Sequence, residues 1–249
     1  MTGSPPKRTP RASRPKSQPE EVSLTPPHPD ITLVTGTDTG VGKTWITCAL
    51  ARALVDAGQR VIAIKTIETG CGVLPGPDED GVRLAAATGQ REPRHALVRL
   101  RRPVAAAVAA EEEGVTIDVP ALVDRIKGYA ATCDHTLVEG TGGLLAPLTW
   151  QDNALDLAHG LDARVLIIGS DRLGTINHTL LTLRVLQSVN IRILGVVLTT
   201  PSEPDPSTGS NAGAIRRLTG LDLIWTVPQL SDRTQAAEAV KEVAGWLLP

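Results

Sequence analysis

From Gly36 to Thr44 the chain reads Gly-Thr-Asp-Thr-Gly-Val-Gly-Lys-Thr. Glycines, a lysine and a hydroxyl in this order suit a polyphosphate. Glycines let backbone N–H groups close around phosphate oxygens, and a helix start adds unpaired donors and a partial positive charge. Thr39, Gly40, Val41 and Gly42 form the loop; Lys43 would reach the β- and γ-phosphates, and the Thr44 hydroxyl would bind Mg2+. The spacing departs from the usual pattern. Five residues separate Gly36 from Gly42, and Thr37 holds the usual first-glycine place. The loop specifies a nucleotide and leaves the reaction open.

Two further groups have types and places fit for chemistry. Lys65 ends the apolar run Val61–Ile64, and Glu139 ends His135–Val138. In open parallel sheets ligands sit at the carboxyl ends of strands, which is where both fall. Glu139 precedes Gly140-Thr141-Gly142-Gly143, and its carboxylate could share the Mg2+ of Thr44. Asp80 is placed to cap a short helix through Ala87, a role that needs no function.

The elements that must hold these groups follow from periodicity. Ile31–Val34 is a short apolar strand before the loop, and Ile46, Ala49, Leu50, Ala53 and Leu54 share a helical face after it. Arg164–Ile168, Ile193–Leu198 and Leu221–Val227 read as further strands, and Pro103–Glu113, Val119–Ala131 and a stretch to Ser188 as helices. Asp232 is placed to cap a final helix from Thr234 to Leu248. Strands alternating with helices predict an α/β fold of the P-loop NTPase kind, a parallel sheet with helices on both faces.

The 249 residues fit one such domain, expected over 30–249. Phe is absent and Tyr occurs once, so the core must be aliphatic. A net charge of −2 argues against a nucleic-acid binder, and no apolar run is long enough to span a bilayer. Cys48, Cys71 and Cys133 are scattered and fit neither a disulfide framework nor a metal site, which points to a reducing cytoplasm. Residues 1–29 are rich in proline and serine, and Lys7, Arg8, Arg11, Arg14 and Lys16 precede the first acid; a disordered basic tail is expected there.

Taken together, these pieces resemble the dethiobiotin synthetases, over about residues 31 to 230. The resemblance rests on the loop at 36–44, Lys65 with Thr69-Gly70, Asp80, Val138-Glu139-Gly140 with Gly142-Gly143, and Leu173-Gly174-Thr175-Ile176-Asn177-His178 before Leu180-Leu181-Thr182. It implies an ATP- and Mg2+-dependent cyclo-ligase of biotin synthesis acting on 7,8-diaminononanoate and CO2, by way of a carbamate and a carbamic–phosphoric anhydride. It implies Lys43, Lys65 and Thr39 at the reacting groups, and Thr44, Asp80 and Glu139 at the metal. Thr69 would bind substrate, and Gly174, Thr175, Ile176 and Asn177 would hold the substrate carboxylate of the partner subunit in a homodimer. Gly140, Thr141, Gly142, Thr199, Val227, Pro228 and Gln229 would lie along the nucleotide.

Four positions depart from the family's pattern. Thr66 replaces a proline, Thr141 replaces an alanine, Ala105 and Ala106 stand where a proline is usual, and Thr199 or Thr200 stands for a base-reading asparagine. Other readings share the loop. A partitioning ATPase would usually carry a second lysine where Thr37 and Asp38 stand. Amide-forming enzymes of corrinoid synthesis would need a glutaminase domain after Pro249. A paralogue acting on another diamine stays open through Thr66 and Thr141.

Overall fold

The computed structural model describes residues 30–229 and 233–248. The expected basic tail and the Asp232 cap fall outside the described residues. β1 (Asp30–Gly36) enters the glycine loop, and α1 (Lys43–Asp56) leaves it. β2 (Val61–Lys65), the two-residue β3 (Ile67–Glu68), α2 (Asp80–Thr88) and β4 (Val98–Arg99) follow. α3 (Ala106–Glu113) and α4 (Val119–Ala130) lead to β5 (His135–Gly143). Then come α5 (Ala154–Gly160), β6 (Arg164–Ser170), α6 (Thr175–Ser188), β7 (Ile193–Thr199), α7 (Asn211–Thr219) and β8 (Ile224–Val227). α8 (Arg233–Ala239) and α9 (Lys241–Gly245) come last.

Six strands form one parallel sheet in the order β2-β5-β1-β6-β7-β8, and β3 pairs with β4 beside it. Period-two alternation divides the core between the two faces. Leu33, Val138 and Ile167 pack with α3 to α7. Val34, Leu137, Leu166 and Ile168 pack with α1, α2, α8 and α9. Leu50 of α1 is fully buried in the second layer, so Leu50→Ala would cost about 2–5 kcal/mol. The aliphatic core that the composition demands is what the fold contains.

The topology places the site. β1 lies between β5 and β6, and the chain's next strand, β2, pairs beyond β5. The sheet order turns at β1, so a crevice opens at the carboxyl ends there.

Several elements differ from expectation. β5 does not end at Val138; it continues to Gly143 because Lys65 pairs with Glu139 and Gly36 with Gly143. Glu139 therefore lies inside a strand. Asp80 is not an N-cap: Glu79 holds that position, and Asp80 begins the helix. α3 starts at Ala106, β8 at Ile224, and the final helix breaks at Val240. Among the described residues no helix is long and apolar enough to cross a membrane.

Candidate active site

The glycine loop is held at three points. Thr37 N–H donates to the Ile168 carbonyl at 2.8 Å, anchoring the loop to β6. Lys43 Nζ donates back to the Asp38 carbonyl at 3.0 Å. Thr199 Oγ1, at the tip of β7, donates to the Val41 carbonyl at 2.9 Å and lies 3.3 Å from that of Gly169. Gly42 caps α1 with φ +91°, and a Cβ there would sit 3.1 Å from Thr199 Cγ2. Only glycine meets both demands without strain.

Lys43 is 7% exposed and has no carboxylate within salt-bridge distance among the described residues. Burial, and then the nearby Lys65 charge, lower its pKa to about 8. A buried cation with one carbonyl partner gains strongly when an anionic oxygen arrives.

Lys65 is partnered differently. At the end of β2 its Nζ lies 2.7 Å from Glu139 Oε1, 2.9 Å from Asp80 Oδ2 and 3.4 Å from the Gly140 carbonyl. Burial works to lower its pKa, but the two carboxylates outweigh it and hold the ammonium above the usual lysine range. Asp80 responds in the opposite sense: burial would raise its pKa, and Lys65 brings it below the usual value.

Thr44 Oγ1 donates to the same Glu139 Oε1 at 2.8 Å. Glu139 is fully buried, and its Oε2 has no hydrogen-bond partner among the described residues. A buried carboxylate oxygen without a partner is costly unless a cation or donor meets it. Two carboxylates and a hydroxyl are hard oxygen ligands, a set that fits Mg2+.

These groups line one cavity of about 1020 Å³. Thr39, Gly40, Gly42, Lys43 and Thr44 form its loop side. Lys65, Asp80 and Glu139 form its charged floor, and Thr69, Thr141 and Gly142 lie on its rim. Val41 is buried beneath the loop, and Gly140 is buried within β5. The remaining candidates lie elsewhere. Asn177 is exposed and Thr175 is buried at the start of α6, outside the cavity. Val227 is buried, its carbonyl taking the Thr200 N–H at 2.9 Å, and Pro228 and Gln229 are exposed beyond β8.

The comparisons with known proteins agree with one another. A family model described as an AAA domain matches residues 31–237. An ATP-dependent dethiobiotin synthetase BioD of Anaeromyxobacter dehalogenans (strain 2CP-1) is 38% identical over 215 residues, covering 85% of this chain and 96% of the relative. Its counterpart in Aquifex aeolicus is 36% identical over 200 residues, covering 80% and 89%. The chain belongs to the dethiobiotin synthetase family. Solved structures share the fold more widely. The septum site-determining protein MinD of Pyrococcus horikoshii, complexed with Mg-ADP, matches with TM-score 0.53 and 20% identity over 87% of this chain and 93% of that one. The cell division ATPase MinD of Pyrococcus furiosus matches with TM-score 0.56 and 18% identity over 88% and 98%.

Against the dethiobiotin synthetase pattern, the departures acquire physical content. Thr66 uses the N–H a proline lacks: its backbone N and its Oγ1 each donate to the Glu139 carbonyl at 3.2 Å. Thr141 Oγ1 donates to the Ile67 carbonyl at 2.5 Å. Both threonines thus tie the β2–β3 segment to β5, beside Lys65 and Glu139. Ala105 is the extended N-cap of α3, a position that needs no proline, and it lines the cavity.

Glu68 is among the cavity residues that the sequence reading does not single out. Glu68 of β3 is 8% exposed, and its carboxylate accepts the N–H groups of Asp80 at 2.5 Å and Gly81 at 3.0 Å. A lone Glu beside Thr69 carries no signal of a partner twelve residues further on.

Proposed function

We propose that this chain closes the ureido ring of dethiobiotin: 7,8-diaminononanoate, CO2 and ATP yield dethiobiotin, ADP and phosphate. The observation that carries the reading is the pairing of two unlike lysines over one cavity. Lys43 is buried and has no carboxylate within salt-bridge distance among the described residues, whereas Lys65 is braced by Glu139 and Asp80.

The chemistry needs both. One amine adds to CO2 and loses a proton to give a carbamate. A carbamate oxygen attacks the γ-phosphorus, and ADP leaves. The second amine attacks the carbamoyl carbon, phosphate departs with its bridging oxygen, and the attacking nitrogen gives up a proton. Carbamate and γ-phosphate are both anions, so bringing them together requires fixed positive charge. Lys43 would hold the β- and γ-phosphate oxygens. Lys65, kept protonated by its carboxylates, would stand between carbamate and phosphate, with the Thr39 and Thr69 hydroxyls orienting the reacting groups. Thr44, Asp80 and Glu139 would hold Mg2+, which when bound neutralises phosphate charge. The chain supplies position and electrostatics and forms no covalent intermediate.

Along the nucleotide we assign Thr199, Val227, Pro228 and Gln229, with Gly140 to Gly142 on the opposite side. Gly174 to Asn177 do not line the cavity, so we assign them to a partner subunit's substrate in a homodimer. Residues 30–249 act as one catalytic unit, and three cysteines not joined to each other suit a cytoplasmic enzyme. Incubation with diaminononanoate, bicarbonate, Mg2+ and ATP tests the reading. Dethiobiotin and one phosphate per turnover are expected; nucleotide hydrolysis without ring closure would reject it.

A further inference from the structure

α2 carries Asp80 at its first position, so the placing of that carboxylate depends on how the helix begins. A helix start leaves backbone N–H groups without partners, and the N-cap side chain usually takes one of them. Here the N-cap is Glu79, and its side chain makes no cap bond. It is engaged elsewhere: Arg99 Nε and Nη2 donate to its two oxygens at 2.8 and 2.5 Å. Arg99 also donates to the Gly72 carbonyl at 2.9 Å. The cap comes from another element. Glu68 reaches from β3 and takes the Asp80 and Gly81 N–H groups on its two oxygens.

The surroundings leave this arrangement little freedom. Glu68 is nearly buried, and its strand is fixed by pairing of Ile67 with Val98 and of Glu68 with Arg99. Gly81 is pressed so closely on the Ala96 backbone that a Cβ would collide with it. The first turn of α2 is therefore held against the β3–β4 pair. Asp80 leaves that turn to meet Lys65 at 2.9 Å. Thr69, the next residue after Glu68, lines the same cavity.

We infer that Glu68 is a positioning residue: by capping α2 from a separate strand, it aims the Asp80 carboxylate at Lys65 and at the metal position. The inference rests on the proposed role of Asp80 in holding Mg2+. Groups that orient a metal ligand typically change metal affinity by about 10- to 100-fold when removed.

The test uses Mn2+ as a spectroscopic stand-in, bound with ADP to the full chain and followed by electron paramagnetic resonance. Glu68→Ala is expected to weaken Mn2+ binding about 10-fold. Asp80→Ala should weaken it at least as much, and the double variant should be no weaker than Asp80→Ala, because both changes remove one function. Glu68→Gln, which keeps the size but presents an amide to one N–H, should move in the same direction and carries the test if Glu68→Ala fails to fold. In turnover, the Mg2+ concentration needed should rise while KM for the diamine stays put. Mn2+ affinity unchanged in both Glu68 variants, or losses that multiply in the double variant, would overturn the inference and leave Asp80 as a ligand. Unchanged affinity in Asp80→Ala would instead remove Asp80 from the metal site, and the inference with it.

Discussion

At the scale of single residues, the two lysines differ by their neighbours. Lys43 has a carbonyl for company and a pKa lowered to about 8; Lys65 has two carboxylates. Removing the first should therefore harm ligand stabilisation and spare the fold. Lys43→Ala is expected to lower kcat/KM by about 10³-fold or more, the scale of a lost charge at a transferring phosphoryl group. Its thermal unfolding should match or exceed wild type, since a desolvated cation has gone. Turnover close to wild type would refute the phosphate role. Thr199 leads to a second expectation. Its hydroxyl is committed to the Val41 and Gly169 carbonyls, so it holds the loop and has no donor left for a base. Discrimination among nucleoside triphosphates should be weak, with kcat/KM for ATP, CTP and GTP within about an order of magnitude. A strong preference for ATP would mean that other groups read the base.

At the scale of elements, the carboxyl ends of the strands carry the chemistry and the amino ends carry fastening. Arg60 and Asp134, just before β2 and β5, illustrate the second. The Asp134 carboxylate takes the Arg60 backbone N–H at 2.9 Å and its guanidinium at 2.5 Å. The hydrogen bonds from Arg60 side chain and backbone bring the Asp134 pKa down to about 2. The unfolded carboxyl would titrate near its ordinary value of about 4. A carboxyl whose folded pKa is depressed adds stability above its unfolded pKa and loses it as pH falls toward the folded one. Asp134→Asn should thus lower Tm at pH 6, and the difference from wild type should shrink steadily between about pH 4 and pH 2. Both residues are solvent-facing and screened by salt, so the effect at pH 6 should be small. A gap independent of pH would assign the loss to packing.

The same scale separates what was legible in the sequence from what was not. β1, α1, β2 and β6 announce themselves by apolar runs and a 3.6-residue period, and the glycine loop lies where those patterns meet. β3 and β4 are two residues each, too short for any period, yet they hold Glu68. α5 begins at a reciprocal cap between Asn153 and Asp156, a local signal that its seven residues do not reinforce with a clear apolar face. Glu139 was legible as a chemical group but not as a strand interior, because Gly140 to Gly143 read as a turn; pairing with β1 and β2 overrides that propensity. The Glu68–Asp80 contact is a tertiary one, and side-chain spacing along a chain does not encode it.

At the scale of the whole molecule, the question is why residues 174–177 lie off the cavity that the other candidates share. α6 begins at Thr175 on the far side of the loop, buries Leu183 and Leu186 inward and leaves Leu181 58% exposed, and Leu173, just before the helix, is 81% exposed. A surface with exposed leucines beside an exposed Asn177 suits contact with a second copy of the chain. A two-fold dimer would build two equal sites, each with a glycine loop from one chain and Asn177 from the other. Lys43→Ala and Asn177→Ala homodimers should then both be nearly inactive. When the two are mixed and allowed to exchange, half the dimers become heterodimers, and each heterodimer has one site carrying both lesions and one carrying neither. Activity should return to roughly a quarter of wild type if exchange is random and the sites are independent. If both residues serve a site within one chain, every heterodimer site carries a lesion and no activity returns. Verified exchange without recovery would therefore sink the shared site and leave the reaction itself untouched.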